Sequence, residues 1–209
     1  MGKTKRLRNL SVYGHLEGKR EKSFISALIE IYGTLSNNIK PEFNDAYGGV
    51  PDKIVSDTLR QCHRDKSFAW FDEDFEPSNP LSKELRKTLA VCWNITDEET
   101  LAAFFQCSIK DLQQTYNPQN TKKPTLIVSQ PVCVDGLILL ALGEVPSHAT
   151  YIHAKRDKQI REQKSKLNQL INGQAETDFY KQKLTLEILE ERKNDIPLLK
   201  LLISMITKE

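Results

Sequence analysis

The stretch Leu10–Tyr32 reads LSVYGHLEGKREKSFISALIEIY, and it decides the fold class. Leu10–Leu16 is a short, imperfectly alternating apolar run that ends at the turn pair Glu17-Gly18, as a strand does. From Lys19 to Tyr32 the apolar residues Phe24, Ala27, Leu28 and Ile31 recur at helical spacing, and Gly33 stops the pattern. A strand followed at once by an amphipathic helix is the opening of an α/β unit.

The same alternation runs onward. Lys40–Tyr47 is a weaker strand before Gly48-Gly49. Pro51-Asp52 opens a helix with Ile54, Val55, Thr58, Leu59 and Cys62 on one face. Ser67–Phe71 (SFAWF) is an aromatic strand that runs into Asp72-Glu73-Asp74. After a turn at Ser78-Asn79-Pro80 comes a helix over Ser82–Trp93. A further helical stretch covers Asp97–Tyr116, with Thr96 as its cap and Glu99 in capping-box position. Pro124–Ser129 is a buried strand ended by Gln130-Pro131, and Val134–Leu142 is a strongly apolar helix ended by Gly143. Tyr151–Thr207 is helical by composition, with breaks at Asn172-Gly173 and Pro197. The apolar spacing of Leu184–Ile206 suits either packing on the domain or a dimer seam. Strands alternating with helices predict an α/β fold, a mostly parallel four-stranded sheet covered by helices.

Composition sets the bounds. The 209 residues are 39% hydrophobic and 28% charged, the balance of a soluble globular chain. The net charge of +2 excludes a uniformly basic nucleic-acid coat but conceals segregation. Residues 1–22 carry seven basic side chains and two acids, and residues 70–100 carry eight acids and three basic side chains. Residues 153–166 are basic again (Lys155, Arg156, Lys158, Arg161, Lys164 and Lys166 against Asp157 and Glu162). Solvated helix faces around an acidic loop explain this pattern, and so does an enzyme that grips a polyanion beside a cation. Four scattered cysteines without a CxxC pair exclude a zinc knuckle and a disulfide framework, and predict reduced thiols in a cytoplasmic protein. No secretory signal is expected, and Leu137–Leu142, the longest apolar run, is far too short to span a membrane.

Open parallel sheets gather ligands at the carboxyl ends of their strands. The residues there are Glu17-Gly18, Asp72-Glu73-Asp74, and Ser129-Gln130-Pro131 with Asp135 soon after. In extended backbone Asp72 and Asp74 point to one side, so two carboxylates can meet one hard cation. Magnesium needs only one to three such oxygens, with water completing the octahedron. Glu17 adds a third acid, suited to general acid–base work beside the ion. Short DxD strings also serve as turn formers and helix caps. His15, two residues before Glu17, suits a proton shuttle or an ordinary buried hydrogen bond. Lys19, Arg20 and Lys22 oppose the dipole of the helix they begin, which a phosphate partner would rationalise. Lys155, Arg156 and Lys158 are candidates for holding a nucleic-acid backbone.

These residues resemble the toprim domain, which topoisomerases, bacterial primases and OLD-type nucleases share, and within it the RloB-like proteins. The EGxxTE-type motif is matched by Glu17-Gly18-Lys19-Arg20-Glu21-Lys22 and the DxD motif by Asp72-Glu73-Asp74. The motif with a strand ending in Ser-x-Pro, then an acid and an apolar helix, is matched by Ser129-Gln130-Pro131 and Asp135-Gly136. Arg20 stands where Thr is usual, and Asp135-Gly136 where Glu and a bulky aromatic are usual. The resemblance implies a toprim-like catalytic domain over 1–150, with a helical insertion at about 96–120, and a helical C-terminal extension over 151–209. It implies a nuclease that uses Mg2+ or Mn2+, with Glu17, Asp72 and Asp74 as ligands or acid–base groups and Glu21 and Asp135 as supporting acids. It also implies a nucleic-acid substrate, RNA (tRNA among them) or DNA, in bacterial anti-phage defence. A defence-system partner protein or a homo-oligomer is a possible associate. The rival expectation is a non-catalytic toprim-fold partner or regulatory subunit of a defence complex.

Overall fold

The computed structural model describes residues 9–33, 39–45, 51–72, 81–117, 123–145 and 155–207. Asp74, the turns at Gly48-Gly49 and Ser78-Asn79-Pro80, Lys3, Lys5, Arg6, Arg8, His148 and His153 lie outside the described residues.

Four strands form one sheet: β1 (Leu10–Leu16), β2 (Ile39–Asp45), β3 (Lys66–Asp72) and β4 (Thr125–Ser129). Their order is β2-β1-β3-β4, and every pairing is parallel. Helices fill the crossovers: α1 (Lys19–Ile31), α2 (Pro51–Leu59), then α3 (Lys83–Trp93), α4 (Glu98–Gln106) and the short α5 (Ile109–Asp111), and α6 (Val134–Ala141) after β4. Four more follow: α7 (Arg156–Ile171), α8 (Glu176–Lys183), α9 (Leu186–Asp195) and α10 (Pro197–Ile206). The α/β expectation therefore holds. β2 lies at an edge, where Pro41 costs no interior ladder bond.

Side chains alternate across the sheet and divide the core in two. Phe68, Trp70 and Ile127 pack on one face with Phe24 and Leu28 of α1 and with α6. Ala69, Phe71, Leu126 and Val128 pack on the other with Ile54 and Val55 of α2 and with Leu89 and Phe104. β3 and β4 are buried on both faces, so both read as unbroken apolar runs. Leu199, Leu202, Ile203 and Ile206 of α10 belong to the first cluster. The apolar spacing of Leu184–Ile206 thus packs on the domain's own core. No helix among the described residues is long and apolar enough to cross a membrane.

Two local expectations are corrected. The cap of α4 is Asp97, not Thr96: its Oδ1 accepts the Thr100 N–H at 2.8 Å, because the carboxylate one residue on is the one in reach. The stretch from Asp97 to Tyr116 is also broken. Ser108 starts α5 with a reciprocal capping box to Asp111, and Leu112–Tyr116 continues as a π-helical turn. The breaks at Asn172-Gly173 and Pro197 are present. Both Asn172 and Gly173 have positive φ, and Pro197 is the first residue of α10. A further break at Leu184-Thr185 has a local cause, since Thr185 Oγ1 accepts the Ile188 N–H at 3.3 Å.

Candidate active site

The carboxyl ends of β1 and β3 lie side by side, with Leu16 in register with Trp70. The ladder extends one step further, as the Glu17 N–H donates to the Trp70 carbonyl at 2.9 Å. This fixes the Glu17 backbone beside Asp72. The Asp72 N–H then donates to Glu17 Oε2 at 2.8 Å. Asp72 Oδ1 in turn accepts the N–H of Val134, the first residue of α6, at 2.7 Å. Two carboxylates and a helix N-terminus are thereby linked through backbone N–H donors.

Around this pair opens a cleft of about 370 Å³. Its acids are Glu17, Glu21, Asp72, Asp135 and Glu176, and its bases Lys19, Arg20 and Lys164. Glu21 is only 3% exposed. Burial raises its pKa to about 7, helped by the negative charges of Glu17 and Asp135 and opposed by the N–H groups of Glu21 and Gly18. Near neutral pH it therefore holds its proton part of the time. Cys133, at the start of α6, is buried and donates to Gln163 Oε1 at 3.3 Å. Burial first, then Asp72 and Asp135, push its thiol well above the ordinary range, so it is no nucleophile.

Arg20 joins four elements. Its guanidinium on α1 pairs with Asp135 on α6 and with Glu176 on α8, the latter at 2.9 Å, and donates to Asn168 on α7 at 2.9 Å. Burial opposes its charge, but the two carboxylates together outweigh that and raise its pKa. Arg20, which stands where the motif it resembles has Thr, thus fastens the C-terminal helices to the cleft. Gly136 has a related reason. A methyl group there would come within 2.2 Å of the Pro131 carbonyl and 2.9 Å of the Gln163 amide, so the Pro131 backbone first, and then α7, leave no room for a side chain.

Of the other residues singled out, Lys19 is exposed at the rim. Lys22 is not among the residues that line the cleft and lies 3.7 Å from Asp45. Lys155 and Lys158 are exposed near the start of α7. Arg156 pairs with Asp157 at 3.2 Å and Lys158 with Glu162 at 3.6 Å. The basic residue that α7 brings to the cleft is Lys164. His15 is buried, with Nδ1 3.6 Å from Asp57, and burial lowers its pKa, so it is a neutral core imidazole. Glu176 and Asn168 escaped the sequence reading, since no local pattern ties them to Arg20.

Hard oxygen donors at strand ends are the kind that suit magnesium or manganese. Among the described residues, no group of three or more His, Cys, Asp and Glu side chains is set to hold a metal ion. Glu17 and Asp72 supply two donors, and magnesium accepts as few, with water for the rest.

No family model and no curated protein matches the chain. Among solved structures, it is similar to the C-terminal region of the Burkholderia pseudomallei OLD protein. The identity is 16%, the TM-score 0.44, and the match covers 94% of this chain and 98% of that one.

Proposed function

We propose that this chain is a toprim-type nuclease that cleaves phosphodiester bonds with the help of Mg2+ or Mn2+. The observation that carries the reading is the Glu17–Asp72 pair, two carboxylates on adjacent parallel strand ends locked by the 2.8 Å bond from the Asp72 N–H. The raised pKa of Glu21 supports it, because burial first, and then Glu17 and Asp135 beside it, perturb an acid in a cleft, as happens at functional sites.

Glu17 and Asp72, with Asp74, would hold the ion. When bound, the ion supplies neutralisation of phosphate charge and a water acidified enough to attack at neutral pH. The chain's own residues do the rest. Lys19 and Lys164 at the rim attract the phosphate. Glu21, with its pKa near 7, exchanges a proton with the reacting oxygens through water. Asp135 is a supporting acid whose place is fixed by Arg20. Arg20 acts through this brace, and its direct phosphate contact is a lesser role. Lys155, Arg156 and Lys158 extend the track for the nucleic-acid backbone, with Lys22 at the other side. By analogy with RloB-like proteins, RNA such as tRNA is the favoured substrate and anti-phage defence the setting.

The second reading is a non-catalytic toprim-fold subunit of a defence complex. It is favoured by Arg20, which occupies two of the cleft's acids, Asp135 and Glu176.

Labelled tRNA, single-stranded RNA and duplex DNA, incubated with and without Mg2+, separate the two. At least one substrate should be cut in a metal-dependent way, and Asp72→Asn or Glu17→Gln should slow cutting on the order of a hundred- to ten-thousand-fold. Cutting that persists in both variants overturns the assignment. No cutting, together with stable co-purification of a partner, selects the second reading.

A further inference from the structure

We propose that the acid cleft takes a single divalent cation per chain, because Arg20 already holds the oxygens that a second one would need. The proposal deepens the nuclease reading and rests on its ion site at Glu17 and Asp72.

The carboxylates of the cleft differ in what they bond. Glu17 and Asp72 are tied to the strand ends through backbone N–H groups. Asp135 and Glu176 are tied to a cation of the chain itself. One terminal nitrogen of the Arg20 guanidinium pairs with Asp135 Oδ1. Nε and the other terminal nitrogen both donate to Glu176 Oε1, at 3.1 and 2.9 Å. That second terminal nitrogen also donates to Asn168 Oδ1 at 2.9 Å. The guanidinium thus gathers three oxygens, two of them anionic, from α6, α8 and α7. These are hard oxygen donors, the kind that magnesium and manganese take.

Such a cation is hard to displace. The Arg20 and Asp135 side chains are only 18% and 11% exposed. An ion that took Asp135 would leave a mostly buried guanidinium short of a counter-charge, which is strongly unfavourable. Burial works against the charge on Arg20, yet Asp135 and Glu176 outweigh it, and a guanidinium keeps its proton. The chain also holds it in place at a high effective concentration, which a free ion does not share. Lys19 and Lys164, which also line the cleft, are exposed. An ammonium is a point charge without the fork that meets several oxygens at fixed angles. Two-metal enzymes that cleave phosphodiesters set their ions about 3.5–4 Å apart, one for the attacking and one for the leaving oxygen. Here Asp135, Glu176 and Asn168 are committed to Arg20, so a second positive charge in the cleft comes from the chain.

Equilibrium dialysis of the metal-free full chain against Mn2+, with the bound ion counted by atomic absorption, reads the number directly. Wild type should saturate at about one Mn2+ per chain. Arg20→Met frees the three oxygens and should raise the count to about two, and adding Asp135→Asn to it should bring the count back to about one. Thermal unfolding confirms that the variants are folded, and the wild-type count tests the proposal even where they are not. Two ions on wild type, or a folded Arg20→Met chain that stays at one, overturns the proposal and leaves the nuclease reading standing. A folded double variant that stays at two puts the second ion elsewhere and overturns it as well. No Mn2+ on wild type removes the ion site and the nuclease reading with it. One ion on wild type with no cutting of any substrate removes the nuclease and leaves the single-ion cleft.

Discussion

At the amino ends of β1 and β3, polar groups satisfy one another. Asp65 Oδ2 accepts both the N–H and the hydroxyl of Ser11 at 2.9 Å, and Ser11 Oγ accepts the Asp65 N–H at 3.1 Å. One residue on, the buried Lys66 ammonium donates to the Ser204 carbonyl and, at 2.6 Å, to that of Thr207, a cation at the end of α10 where the helix dipole favours it. At the carboxyl ends of the same strands, Glu17, Glu21, Asp72 and Asp135 converge, and one of them is pushed to a pKa near 7. The same two strands thus end in closed pairs on one side and in crowded like charge on the other. Crowding of that kind lowers stability unless a ligand relieves it. The contrast separates the end that holds the fold from the end proposed to do chemistry.

The two ends should answer mutation in opposite directions. Lys66→Met removes the buried cation and leaves helix-end carbonyls unsatisfied, so it should cost about 4 kcal/mol in urea unfolding. Cleavage per folded molecule should be unchanged. A loss of cleavage with stability intact would dissolve the contrast.

Glu21→Gln should do the reverse. The Glu21 pKa is raised in the folded chain, so between about 4.5 and 7 the unfolded chain gives up a proton that the folded one keeps. Wild-type stability from this group therefore falls as pH rises through that window and levels off above it. The variant lacks the loss, and near pH 8 it should be more stable than wild type by up to about 3 kcal/mol, converging with it near pH 4. Melting curves across pH measure this, and a gap that does not widen with pH refutes it.

Gly136→Ala sharpens the comparison within the acidic end itself. Its methyl group would meet the Pro131 carbonyl, so the variant should lose about 1–3 kcal/mol although it removes no charge and no hydrogen bond. Thermal unfolding as stable as wild type would show that α6 can shift, and that the Asp135 position is not rigidly set.

Much of this was legible in the sequence, and the reasons differ by region. SFAWF and PTLIVS read as strands because a parallel sheet buries both their faces. That Glu17 and Asp72 stand at neighbouring strand ends followed from the order of elements alone. The places of Glu176 and Asn168 did not, because they follow from how α7 and α8 dock, 156 and 148 residues from Arg20. Arg20 itself read as a phosphate ligand, since nothing local reveals the two carboxylates that hold it. The Asp135-Gly136 departure was visible, but its cause, the Pro131 carbonyl and then Gln163 of α7 closing on Gly136, appears only in the folded packing. Asp97 took the cap expected of Thr96 for the simpler reason that two adjacent residues could both serve, and the backbone turned one residue later.

The central claim is that the carboxyl end is built to hold a divalent cation between Glu17 and Asp72. Titration of the metal-free full chain with Mn2+, followed by electron paramagnetic resonance of the free ion, tests it most directly. Wild type should bind Mn2+ in competition with Mg2+, and the Glu17→Gln/Asp72→Asn double variant should lose that binding while melting no lower than wild type. Equal Mn2+ binding by the folded double variant, or none by wild type, would contradict the account.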